Sequence, residues 1–199
     1  VTAFASENDK GLWIGTDGGG LNYLDLKTQT FKHYTQSNQD SNSLRSNAVL
    51  ALMIDKKGRL WSGTWGGGLA RFDAKQDKVI RVNLRNAENG NEENFNVWSL
   101  FEDAAGDVWV GTQMKGLLRW READNSLVQY RPGDDPTSIA GEAVWSMMED
   151  AGGNFWVGTN QGLNILDPRT GKFTRILHDP SDTTSLSHNS VESMLEDSK

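Results

Sequence analysis

The sequence predicts an all-β chain assembled from four copies of one unit, on three observations. A five-residue phrase recurs as Leu12-Trp13-Ile14-Gly15-Thr16, Leu60-Trp61-Ser62-Gly63-Thr64, Val108-Trp109-Val110-Gly111-Thr112 and Phe155-Trp156-Val157-Gly158-Thr159. Its tryptophans stand 48, 48 and 47 residues apart (61−13, 109−61, 156−109), and a fixed period of this size marks a repeat architecture. The third observation is composition: 21 Gly and 8 Trp suit many tight turns and a few large core anchors. No segment holds a 3.6-residue apolar period between its glycines, so helices are not expected.

Each repeat opens on valine, any residue, a small residue and a large apolar one: Val1-Thr2-Ala3-Phe4, Val49-Leu50-Ala51-Leu52, Val97-Trp98-Ser99-Leu100 and Val144-Trp145-Ser146-Met147. This is the expected first strand, its small third residue suited to a crowded innermost position. An acidic residue and a glycine follow, as in Asp55-Lys56-Lys57-Gly58 and Asp103-Ala104-Ala105-Gly106. Such residues tolerate the left-handed conformations of a hairpin turn, so the first strand pairs with the tryptophan-bearing second. Alternate residues of that strand face opposite ways. Both of its faces are apolar, which implies burial between two neighbouring units. A second glycine turn leads to third strands beginning at Leu21, Leu69, Leu117 and Leu163. Polar turns then precede fourth strands around Phe31 to Tyr34, Val79 to Val82, Leu127 to Tyr130 and Phe173 to Ile176. A polar loop of roughly a dozen residues closes each repeat.

Four short strands per ~48-residue unit match the blade of a β-propeller, in which four-stranded sheets radiate around a channel. The repeats are expected at 1–48, 49–96, 97–143 and 144–190, with the first strand of a fifth repeat at 191–199. In that architecture Trp13, Trp61, Trp109 and Trp156 are blade anchors. Their regular placement argues for packing over ligand contact.

A formal charge of −7 and a pI near 5.0 argue against a nucleic-acid partner, since no basic face is available for phosphates. The chain has no cysteine, which excludes thiolate chemistry and disulfides. His33, His178 and His188 occupy unrelated repeat positions, so no metal-ligand spacing exists, and no residue pattern indicates a cofactor. Asp55, Asp103, Asp150 and Asp197 are expected to stabilise turns and do not cluster as a calcium site would. No carboxylate pair, nucleophile elbow or phosphate loop stands out, so no catalytic residue is assigned. No apolar stretch approaches the ~20 residues needed to cross a bilayer as a helix.

Ligand contacts are expected where the repeats disagree. With strands alternating in direction, the loops after strands two and four share one face of the ring. That face collects Trp65, Met114, Lys115 and Gln161, with Trp98, Trp145 and Glu142 at or near the start of inner strands. Aromatic rings with a few polar groups on a concave face suit a small molecule or an oligosaccharide, whose ring faces stack while hydroxyls hydrogen-bond.

Repeat four carries a specific set of phrases: Val144-Trp145-Ser146-Met147-Met148-Glu149-Asp150, Gly153-Asn154-Phe155-Trp156-Val157-Gly158-Thr159, Gly162-Leu163-Asn164 and Ser185-Leu186-Ser187-His188-Asn189. These resemble the two-component regulator propeller repeat, and the resemblance covers the whole chain. It departs at Met114-Lys115, which replaces a glycine pair, and at the first turn, where the glycine comes one step late. The resemblance implies the extracytoplasmic sensor region of a bacterial hybrid histidine kinase or a related diguanylate cyclase. It therefore implies a periplasmic location, a membrane span and output domain outside this chain, and no enzyme activity in this segment. Rings of this family resemble seven-bladed propellers, so the four repeats are expected to be an arc of a larger ring. A closed four-bladed ring is the alternative. An open arc would expose apolar blade faces and self-associate as a homodimer. A glycan-acting propeller enzyme and a passive dimerisation scaffold are the rival functions.

Overall fold

The computed structural model describes residues 1–84, 95–124 and 126–197. They form four antiparallel sheets, each of four strands in chain order. Blade 1 comprises β1 (Ala3–Ser6), β2 (Gly11–Thr16), β3 (Gly20–Asp25) and β4 (Thr30–Tyr34). Blade 2 comprises β5 (Val49–Ile54), β6 (Leu60–Thr64), β7 (Gly68–Asp73) and β8 (Lys78–Val82). Blade 3 holds β9 (Val97–Glu102), β10 (Val108–Thr112), β11 (Leu117–Arg121) and β12 (Ser126–Tyr130). Blade 4 holds β13 (Val144–Glu149), β14 (Phe155–Thr159), β15 (Gly162–Asp167) and β16 (Lys172–Ile176). No helix occurs among the described residues.

The first strands are innermost: β1 packs on β5, β5 on β9 and β9 on β13. Among the described residues no comparable contact joins β13 to β1, so the four blades form an open arc.

In blades 2, 3 and 4 the hairpin between the first and second strands is tied by its aspartate. In blade 2 the Gly58 amide donates to the Asp55 carbonyl at 2.8 Å, with Gly58 at φ 74°. The Asp55 carboxylate accepts from the Lys57 and Arg59 amides and, at 2.8 Å, from the indole Nε1 of Trp61. The same indole bond links Trp109 to Asp103 at 2.8 Å and Trp156 to Asp150 at 2.7 Å. The acidic turn residue therefore also satisfies the polar edge of the blade anchor. Burial pushes the Asp55 carboxyl up, but the bonds from Trp61 and Arg59 outweigh it and hold it below its ordinary value. Hydrogen bonds from the Asn154 side chain, Trp156 and the Asn154 amide lower Asp150 to about 2.

The glycine of the repeated phrase explains how the blades interlock. A side chain added at Gly63 would fall on Val97, at Gly111 on Ser99 and Val144, and at Gly15 on Val49. In each case the opening valine of the following blade occupies the space that glycine leaves open, and Val49, Val97 and Val144 are completely buried. Gly158 meets Val191 in the same way. Residues 191–197 carry no strand assignment, yet they lie where a further innermost strand would. The Val191 amide donates to the Thr159 carbonyl at 3.0 Å, and Glu196 accepts from the Ala151 amide at 3.0 Å. The equivalent bond in the arc runs from the Lys56 amide to Glu102 at 2.6 Å.

Polar side chains also cross between blades. The Tyr34 hydroxyl in blade 1 donates to Asp77 in blade 2 at 2.7 Å, and Lys32 pairs with the same carboxylate. Burial, followed by the bond to Asp77, pushes the Tyr34 phenol up. Glu122 of blade 3 pairs with Arg59 and Lys57 of blade 2 at 2.5 and 2.9 Å, and their hydrogen bonds hold its carboxyl at about 2.

The loops entering blades 2 and 4 are tied by an arginine of the outer strand of the blade they enter. Arg81 Nε donates to the Ser43 carbonyl and Arg175 Nε to the Ser138 carbonyl, each at 2.8 Å. Leu44 and Ile139, beside those serines, are completely buried.

The arc ends on unlike surfaces. Phe4, Leu12, Ile14, Leu24 and Phe31 share the leading face of blade 1. Phe4 and Phe31 are 60% and 54% exposed, whereas Leu60 and Val79, which match Leu12 and Phe31 in blade 2, are buried. At the other end Trp156 is half-buried, while Trp13, Trp61 and Trp109 are buried.

Candidate ligand site on the inner wall

The innermost strands of blades 2, 3 and 4 share an irregularity that only pairing reveals. In β9, Ser99 pairs with Gly111 while Val97 pairs with Thr112, leaving Trp98 as an extra residue. In β13, Ser146 pairs with Gly158 and Val144 with Thr159, so Trp145 is extra. Leu50 holds the same position in β5. A bulge of this kind leaves one residue out of the ladder and re-aims its side chain. Trp98 and Trp145 thus leave the blade interfaces and meet each other.

Their rings pack edge to face, with centroids 5.0 Å apart at 85°. Trp65, which follows β6 on the neighbouring blade, packs on Trp98 with centroids at 6.2 Å and an angle of 86°. Three blades therefore contribute one indole each to a continuous aromatic strip. Edge-to-face pairs of this type are worth about 0.5–1.5 kcal/mol beyond their burial. Trp65 is 44% exposed, and Trp98 and Trp145 are half-buried. Their indole N–H groups are buried without a hydrogen-bond partner among the described residues.

Trp98 and Trp145 line a cleft of about 320 Å³ together with Glu192, near the lower end of the size range for ligand sites. Glu192 is exposed. It holds the position in residues 191–194 that Trp98 and Trp145 hold in their repeats, one residue after the opening valine. Sequence reasoning passes over it, because residues 191–199 read as the first strand of a fifth repeat. Aligning the second residue of each opening (Thr2, Leu50, Trp98, Trp145, Glu192) would have found it.

Of the seven residues expected to contact a ligand, the structure brings Trp65, Trp98 and Trp145 into direct ring contact. Met114, Glu142 and Gln161 are exposed, and Lys115 lies half-buried in the blade 3 turn. That turn is joined to the loop entering blade 4 by a bond from the Gly116 amide to the Glu142 carbonyl at 2.9 Å. Lys115 is held from both sides, its amide donating to Thr112 Oγ1 and its carbonyl accepting from Gln129. Another cavity, of about 260 Å³, lies between blades 1 and 2 beside Trp13, Tyr34, Leu60 and Phe72. It is lined largely by residues that pack the interblade core. Among the described residues no group of three or more His, Cys, Asp or Glu could hold a metal ion.

The sequence profile of the two-component regulator propeller family matches residues 43–66, 92–114 and 138–161. Each matched segment contains the first and second strands of blade 2, 3 or 4. The chain superposes on the extracellular domain assigned to the hybrid two component system BT4673 of B. thetaiotaomicron with a TM-score of 0.79 and 24% identity. That match covers 96% of this chain and 24% of the other. For the extracellular domain assigned to hybrid two component system BT3049 of the same organism the TM-score is 0.74 at 21% identity, covering 99% and 31%. Virginiamycin B lyase from Staphylococcus aureus shares the fold at a TM-score of 0.67 and 16% identity, covering 90% and 56%. No curated protein matches by sequence. The chain spans about a quarter of the BT4673 domain, 24%. Blades 2, 3 and 4 each carry a segment that matches the two-component regulator propeller family.

Proposed function

We propose that this arc is the ligand-sensing part of an extracytoplasmic, periplasmic two-component sensor. It binds a small molecule or oligosaccharide on its inner wall and transmits the event to an output domain outside this chain. The observation that carries this reading is the bulge that turns Trp98 and Trp145 out of the blade interfaces. A blade needs a small third residue and an opening valine to pack, and it packs in blade 2 with Leu50 at the bulge. Two indoles there, extended by Trp65, supply apolar ring faces that the fold does not require. The extracellular domains of hybrid two component systems BT4673 and BT3049 share the architecture, which supports the sensor role.

An enzymatic reading draws on the lyase that shares the fold. It is the weaker one, because among the described residues the cleft combines two indoles with a single carboxylate and glycoside hydrolysis ordinarily uses a facing pair. Thermal-shift screening of the chain against oligosaccharides tests the sensor. A ligand at 100 times its dissociation constant adds about 2.7 kcal/mol of stability. Trp98→Ala and Trp145→Ala should remove that gain while retaining the strand signal in circular dichroism. A screen in which the variants respond as the wild type does would sink the assignment of the site. The arc also pairs with a second copy through its exposed end faces, a proposal tested below.

A further inference from the structure

We propose that the inner-wall cleft takes an organic cation, a protonated amine carried on a sugar-sized ligand, with Glu192 as its counter-ion. The inference deepens the inner-wall reading and rests on it. Among the described residues the cleft wall is two indoles and one carboxylate. Indole rings attract a cation through their quadrupole, which is the physical basis of aromatic cages for ammonium groups. Glu192 supplies the full negative charge such a site uses. It forms no ion pair or hydrogen bond with another described residue. In contrast, Glu196 caps the Ala151 amide, Glu102 accepts from Lys56, and Glu122 is paired with three cations. Those glutamates hold the blades together, and Glu192 does not.

Its place is also distinctive. Repeat register puts Glu192 where blades 3 and 4 carry a tryptophan. The aromatic strip of Trp65, Trp98 and Trp145 thus ends in a carboxylate. A ligand lying along the strip meets ring faces first and a charge last. The formal charge of −7 favours approach of a cation over an anion, so a uronic acid would be repelled at the position where an amino sugar is held. A neutral sugar would meet the same rings without the charge pairing.

The test compares two ligands that differ only in that charge. A deacetylated chitin trisaccharide and its N-acetylated form are titrated into the chain at low salt and about pH 6, where the amines are protonated, with tryptophan fluorescence as the signal. The deacetylated form should bind the wild type, and Glu192→Gln should weaken it roughly tenfold. Raising the ionic strength should weaken it as well, while the N-acetylated form should be indifferent to the substitution. Because Glu192 is exposed, the variant retains the fold, and its melting curve verifies that. Equal binding of both forms, or binding that Glu192→Gln leaves unchanged, overturns the cation inference while the inner-wall site stands. No fluorescence response to either sugar overturns the cation inference and counts against the sugar-binding form of the inner-wall reading. A hit in the wider screen that Trp145→Ala abolishes would then preserve the wall as a site for another ligand.

Discussion

Substituting Gly63 by alanine should destabilise the arc, against the usual effect of that change. At an unstrained site Gly→Ala stabilises by about 0.4–1 kcal/mol, because the unfolded chain has less freedom to lose. Gly63 has no left-handed conformation to protect, so the steric term decides the sign. A methyl at Gly63 overlaps Val97 Cγ1, stands 2.8 Å from Val97 Cβ and 3.3 Å from Ala51 Cβ. Val97 is completely buried and Ala51 is 6% exposed, so neither has room to turn away, and blade 3 must shift outward. Overpacking of this kind costs about 1–3 kcal/mol, which exceeds the entropic gain.

Urea unfolding followed by tryptophan fluorescence gives the midpoint and slope. Gly133→Ala is the control, since the nearest atom to its added methyl is Ser138 Oγ at 3.8 Å; it should be neutral or slightly stabilising. Combining Gly63→Ala with Val97→Ala removes the Cγ1 overlap. The double variant should therefore be more stable than the sum of the single effects by about 1 kcal/mol, within the range for residues in contact. If Gly63→Ala behaves like Gly133→Ala, or the two changes simply add, the valine-into-glycine interlock is wrong.

Three further outcomes follow from the same geometry. Trp61→Phe should cost about 1–3 kcal/mol by leaving the buried Asp55 short of one donor, and Trp156→Phe should cost less in the same urea assay because Trp156 is half-buried. Glu122 has a folded-state pKa of about 2, below its ordinary 4.5. Its stabilisation is therefore present above pH 4.5 and lost as the pH falls toward about 2, and acid melts of Glu122→Gln should show a flatter decline than wild type. Light scattering after size exclusion should show concentration-dependent dimers. Phe4→Glu combined with Phe31→Glu should shift the chain to monomer, and a wild type that stays monomeric at high concentration would refute pairing through the end faces.

Much of this architecture was legible because repetition makes each residue's role visible four times. Strand order, the tryptophan anchors and the aspartate-glycine hairpins follow from alternation and turn chemistry, which act over a few residues. The third and fourth strands lie within about a residue of their expected bounds for the same reason. The first strand differs: β1 begins at Ala3, because the ladder of its later residues is paired while Val1 and Thr2 lie outside it. Residues 191–197 differ also. The opening phrase is complete there, yet among the described residues it has no second strand to pair with, and a strand exists only as a partner.

The candidate site divides along the same line. Repeat alignment alone shows that Trp98 and Trp145 break the pattern, and that Trp65 does so one blade earlier. The sequence did not determine that a bulge turns the first two toward each other, since strand alternation places neighbouring residues on opposite blade faces and a bulge is a property of pairing. Nor did it single out Glu192, whose role depends on two rings brought to it from other blades. Local chemistry chose the units and their anchors. Only the stacking of blades decided which of their side chains meet, because those contacts join residues 33 to 47 positions apart (98−65, 145−98) that no local preference connects.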